Sequence, residues 1–153
     1  MSEATTENER IARRVPEDIA TEGNLDMVRE VYAEDAVEHG PFGRDVRGRE
    51  AIEEALASYR HAFPDFSATV EDVVTDGDTV AMRVTLRGTH EGEFMGMEPT
   101  NRSFKIRNMV FTRIEDGKIA ERWVQPDTAA MLQQLGIVPE DLSSERGPRA
   151  SNE

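Results

Sequence analysis

The side chains best suited to proton transfer here are three histidines, His39, His61 and His90, and any carboxylate held in a dry pocket. Burial disfavours the charged form of a carboxyl group, so its pKa climbs towards neutrality and it becomes a useful base. Candidates that a sheet could aim inward are His39, His90 and Asp127, with Asp35 and Asp72 behind them. For each, the competing role is a surface turn, a helix cap or a satisfied structural hydrogen bond. The histidines lack helical metal-ligand spacing, so no metal site is expected. The sequence contains no G-x-G-x-x-G, P-loop or G-x-S-x-G motif and no cysteine, which removes thiol chemistry and leaves acid/base catalysis as the simplest reaction for these residues.

Positioning such groups falls to helices first and strands afterwards. Ile11, Val15 and Ile19 recur every four residues, with Pro16 either kinking that helix or starting a shorter one whose first turn holds Glu17 and Asp18. Gly23-Asn24 stops it, and Leu25, Val28 and Tyr32 carry a second helical stripe with Val31 alongside. Ile52, Ala55, Leu56, Tyr59 and Phe63 form the clearest amphipathic face, which ends at Pro64-Asp65 and leaves His61 towards solvent. From Phe66 the period changes to two, with Val80, Met82, Val84 and Leu86 alternating with Ala81, Arg83, Thr85 and Arg87. Turns at Asp76-Gly77-Asp78 and Asp116-Gly117 join successive strands, the last two spanning 102–115 and 118–126, and a long connector covers 88–102. This order predicts an α+β fold in which helices cover one face of a curved, meandering antiparallel sheet and enclose a mostly apolar pocket. Met109, Phe111 and Trp123 fall opposite the inward set, so a homodimer through the sheet is expected, the alternative being cover by the C-terminal segment.

At 153 residues the chain has the length of one domain, expected over 9–137 with loose tails at 1–8 and 143–153. It carries 31 Asp and Glu against 18 Lys and Arg, a formal net charge of −13. Nucleic acid and anionic membrane surfaces are therefore poor partners. Of the 18 cations 16 are arginine, which suits a salt-accumulating halophile and equally an ordinary acidic protein from an arginine-rich genome. The N-terminal MSEATTENER lacks signal-peptide character, no apolar run could span a bilayer, and a cytoplasmic location is expected.

Four segments in order, GNLDMVREVYAEDAVEHGP, RGREAIEEALASYRHAFPDF, GTHEGEFMGMEPTNRSF and RIEDGKIAERWVQPDTAAMLQQLG, resemble the SnoaL-like polyketide cyclase, or ester cyclase, family. The resemblance implies the cone-shaped fold of nuclear transport factor two and ketosteroid isomerase. It also implies a small hydrophobic ligand and, in ring-closing members, an intramolecular aldol condensation of a polyketide methyl ester without metal or cofactor. In those members an aspartate on the last strand and a histidine on the preceding one serve the reaction. Alignment through D-G-K-I and P-D puts Val124 and Val110 at these two positions, and neither can transfer a proton. His90 in GTHEG matches a family histidine, and Asp127 matches the second aspartate of the same stretch. The expected site therefore has Asp127 or His90 as base. Tyr32, His39, Asn108 and Arg122 would orient polar atoms, and Met82, Val110 and Val124 would complete the ligand surface. The alternative is a non-catalytic dimeric binder that kept the pocket after losing the chemistry.

Overall fold

The computed structural model describes residues 3–137. Helix α1 (Glu3–Arg14) runs without a break into a wider, π-type segment, Val15–Thr21. Pro16 has no N–H to donate, and the backbone relaxes into this wider turn instead of kinking. The Thr21 hydroxyl closes the turn by donating to the Pro16 carbonyl at 2.7 Å. Residues 3–8, expected as part of a loose tail, are helical, supported by ion pairs Arg10–Glu7 and Arg13–Glu9 and by Asn8 Nδ2 donating to the Gly77 carbonyl at 3.2 Å. The tail expected at 143–153 lies outside the described residues.

A 3-10 turn (Leu25–Met27) and the single turn α2 (Val28–Val31) lead into strand β1 (Tyr32–His39). A 3-10 turn at Pro41–Gly43, strand β2 (Asp45–Arg47) and helix α3 (Arg49–Ala62) follow. The long strands are β3 (Ser67–Asp76), β4 (Thr79–Thr89), β5 (Ser103–Glu115) and β6 (Lys118–Pro126), and α4 (Thr128–Gln134) completes the order. Tyr32 thus opens a strand instead of closing a helical stripe. Its spacing from buried Ala36 is four, which satisfies a helix and a strand equally.

The sheet order is β2-β1-β6-β5-β4-β3. Four neighbouring pairs are antiparallel, as the hairpin turns require, but β1 and β6 run parallel, with Glu38 beside Arg122 and His39 beside Trp123. The expectation of a wholly antiparallel meander is corrected at this one pair. A parallel neighbour needs a long crossover, and everything between residues 39 and 118 supplies it. On β5, Phe104, Ile106, Asn108, Val110, Thr112 and Ile114 are buried while the intervening residues face out. The buried row meets Ile11, Val15 and Ile19 of the first helices and Ile52 of α3 in one apolar core. Among the described residues no helix is long and apolar enough to cross a membrane.

Candidate functional site

Between the helices and the concave sheet face lies a cavity of about 110 Å³ that opens to the surface. By itself it is below the roughly 300–1,000 Å³ of small-molecule sites, and the hollow beside it adds about 640 Å³. The wall is mainly apolar, from Val15, Leu56, Phe66, Val84, Ile106 and Met131, and the 3-10 turn at Pro41 and Phe42 borders the mouth. An adjoining hollow shares Glu38, Phe42, Tyr59 and Phe94 with it and reaches the surface beside α3.

Polar groups concentrate on the β1–β6–β5 side of the cavity. Glu38 faces inward because it shares the side of β1 that carries Tyr32 and Ala36, an even number of residues away. Its Oε1 accepts from the Tyr32 hydroxyl at 3.0 Å and from Arg122 Nη1 at 3.1 Å. None of the described residues donates to Oε2. Tyr32 is fully buried and Arg122 is 6% exposed. Burial, reinforced by the Glu38 charge, pushes the Tyr32 hydroxyl far above the ordinary phenol range, so it stays a neutral donor. Burial works against the Arg122 charge, but its partners outweigh it and the pKa ends raised. Arg122 Nε and Asn108 Oδ1 are enclosed without a hydrogen-bond partner.

The inward rungs of the β5–β6 ladder pair Thr112 with Arg122, Val110 with Val124 and Asn108 with Pro126. Thr112 Oγ1 likewise has no partner among the described residues, so unpartnered polar groups stand on both sides of an apolar valine rung. Val124 lines the cavity, whereas Val110 is packed in the core, as is Met82 at 3% exposure. These two expected ligand contacts belong to the support behind the wall, because the helices fill that end of the cone.

Three further expectations are corrected. Asp127 is exposed, and its Oδ1 accepts from Ala130 N at 3.2 Å as the N-cap of α4. His39 points to the opposite face of the sheet, where the odd-numbered positions of β1 project. There Nε2 meets Glu121 at 2.7 Å, Nδ1 meets Asp45 at 2.8 Å, and the ring stacks on Trp123. Those two carboxylates, Glu121 first, raise its pKa. His90 is wholly buried among Phe63 and Phe94 but is not part of the cavity wall. Thr100 N donates to its Nδ1 at 3.2 Å, which assigns the ring proton to Nε2, enclosed without a partner. Asp35 and Asp72 are exposed. Of the expected polar residues, then, Tyr32, Asn108 and Arg122 come together, and His39, His90 and Asp127 do not. Sequence reasoning missed Glu38, whose signal was its even spacing from Tyr32 and Ala36 in a segment where no strand was expected. Among the described residues no three His, Asp or Glu side chains gather closely enough to ligate a metal ion.

Residues 10–135 match the SnoaL-like polyketide cyclase family. Aklanonic acid methyl ester cyclase DnrD of Streptomyces peucetius is 31% identical over 132 residues, covering 82% of this chain and 88% of that protein. Wild-type IdmH of Streptomyces antibioticus superimposes with a TM-score of 0.74 at 37% identity, covering 84% of this chain and 98% of that one. A SnoaL-like protein of Jannaschia sp. CCS1 gives a TM-score of 0.83 at 23% identity, covering 91% and 98%, a likeness of fold. The neighbours share the ketosteroid isomerase-like fold, as the family resemblance implied. With the cone, the enclosed cavity and a match running almost from the first helix to the last, the chain belongs to the SnoaL-like polyketide cyclase family.

Proposed function

We propose that the cavity binds a small hydrophobic molecule bearing carbonyl or hydroxyl groups, and that side chains move a proton on it without a metal or cofactor. The observation that carries this reading is that Arg122 and Asn108, whose Nε and Oδ1 lack a hydrogen-bond partner among the described residues, stand in a mainly apolar wall. An unmet buried donor or acceptor costs about 1–3 kcal/mol, and a ligand offering the complementary atoms relieves that cost. DnrD, by its name, closes the ring of aklanonic acid methyl ester, so an aromatic polyketide ester is the first ligand to try. The test is incubation of the purified chain with aklanonic acid methyl ester, with titration calorimetry for binding and chromatography for product. Ring closure gives a new species of unchanged mass. Neither heat of binding nor product would refute the reading.

A second reading, a non-catalytic binder, is favoured by Val124 and Val110 standing opposite each other where the family's proton-transfer pair is expected. Binding without product selects it. In either case we propose a homodimer through the outer sheet face, where Met109, Phe111 and Trp123 are 48%, 52% and 40% exposed. Sedimentation at twice 17.2 kDa is the expected result, with Phe111→Lys shifting it to the monomer.

A further inference from the structure

We infer that Glu38 is the group that takes and returns the proton, and that Arg122 Nε–H receives the negative charge that develops on the ligand oxygen. The inference rests on the acid/base reading above and assigns its residues. Elimination comes first. The titratable side chains of the cavity wall are Glu38, Tyr59, Arg60 and Arg122. Arg60 is committed to the carbonyls of Ala20 and Thr21 at 2.7 and 3.2 Å. Arginine does not deprotonate, and burial raises Tyr59 above the ordinary phenol range. Glu38 is left as the wall residue whose side chain can accept a proton.

Geometry supports the same assignment. Two donors on Oε1 fix the plane of the carboxylate and leave Oε2 without a protein partner. Glu38 is the register partner of Arg122 across β1–β6, and Arg122 is two residues from Val124. With strands about 4.8 Å apart and a rise of about 3.3 Å per residue, the backbones of Glu38 and Val124 are roughly 8 Å apart. The Glu38 side chain can bridge much of that interval, so a carboxylate is brought towards the region of Val124 from the neighbouring strand.

The step balances without another reactant. A ligand C–H next to a carbonyl gives its proton to Oε2, the C–H electron pair forms the enolate double bond, and the carbonyl π pair moves onto oxygen. Arg122 lines the cavity, and its Nε–H, which has no partner among the described residues, supplies the donor to that oxygen once the ligand opens the packing that encloses it. The enolate carbon either regains the proton or attacks a second carbonyl, whose alkoxide takes the proton from Glu38. Return of the proton to the same carbon regenerates the ligand, with its hydrogen exchanged, and attack on the second carbonyl gives a ring-closed isomer.

The test uses the full chain in deuterated buffer with 2-tetralone, a bicyclic ketone, and follows loss of its C1 proton signal by NMR. Wild type is expected to exchange faster than buffer. Glu38→Gln keeps an oxygen to accept from Tyr32 and Arg122, so it preserves the fold while lowering exchange by at least about 100-fold. Glu38→Ala is expected to lose exchange and regain part of it with added formate, a rescue that a purely structural role would not show. Asp127→Asn, outside the cavity, is the control expected to leave exchange unchanged. If wild type exchanges and both Glu38 variants stay within threefold of it, the assignment of Glu38 falls and the acid/base reading survives. If wild type binds 2-tetralone, seen as shifted ligand signals, but exchanges no faster than buffer, the assignment falls with the acid/base reading and the binder remains. Neither shift nor exchange removes both.

Discussion

Replacing Arg122 with Met separates the stability role of the Tyr32–Glu38–Arg122 cluster from any functional one. Arg122 is 6% exposed and the Glu38 side chain 14% exposed, so their charges sit mostly outside water. Arg122→Met leaves the Glu38 carboxylate with the Tyr32 hydroxyl as its one remaining donor. Breaking a buried pair from one side costs about 3–5 kcal/mol, because the other charge stays behind unpaired. Removing the whole cluster is a different perturbation. In Tyr32→Phe/Glu38→Met/Arg122→Met no orphan is created within the cluster, and the enclosed Nε–H disappears as well. Apolar replacement of a buried ion pair is often neutral, so the triple variant is expected within about 1 kcal/mol of wild type. Urea unfolding with linear extrapolation measures both differences. For a chain of this size the single variant should also melt about 6–20 °C lower, at 2–4 °C per kcal/mol. A triple variant as unstable as Arg122→Met would show that the cluster holds the fold together, and the argument that it is kept for its chemistry would lose its footing.

Asp127→Ala should cost about 0.5–2 kcal/mol and Asp127→Asn much less, since Asn caps a helix as well as Asp does; equal losses in urea unfolding would refute the cap. Gly92→Ala would place a Cβ 2.3 Å from the His61 carbonyl oxygen, and because that obstacle is backbone an overpacking loss of about 1–3 kcal/mol is expected. An unchanged urea midpoint would show that the 88–102 connector does not dock on the end of α3. His39 has its pKa raised above 6.5 by Glu121 and Asp45, so its ionic contacts stabilise fully below pH 6.5 and fade as pH rises through the folded value. The melting gap between wild type and His39→Gln should therefore be widest near pH 6 and close towards pH 9, and a gap independent of pH would contradict it.

Where the apolar pattern repeats locally, the sequence was legible. The stripe on α3 marked the face that packs inward, with Ile52 and Phe63 buried and Ala55, Leu56 and Tyr59 half-buried, the alternation through β4 and β5 marked the inward rows, and Gly77 and Gly117 marked the turns. The β1–β6 pairing left no such trace, because parallel partners meet through a long crossover and share no turn. Without it, nothing in residues 33–39 marked a strand, and Tyr32 was read as the end of the helical stripe begun at Leu25 and Val28. Glu38 was lost with that segment. Asp127 was over-read for the opposite reason: a carboxylate after Pro126 looks like a site residue, yet the following Thr-Ala-Ala-Met opens a helix that needs a cap. His90 shows the limit at a connector, since burial among Phe63 and Phe94 depends on how residues 88–102 fold back on α3.

The parallel β1–β6 pair also governs when the site can exist. Glu38 and Arg122 stand 84 residues apart in the chain, and the strand that carries Arg122 is the last of the sheet. During synthesis β1 must wait beside β2 with its inner edge open until β6 has been made and inserted between β1 and β5. Contacts of such long range are the slow ones to form. A chain stopped after β5 therefore carries α1 to α3 and the β3–β4 and β4–β5 hairpins but neither α4 nor the carboxylate–guanidinium pair, which forms only when β6 closes the cone.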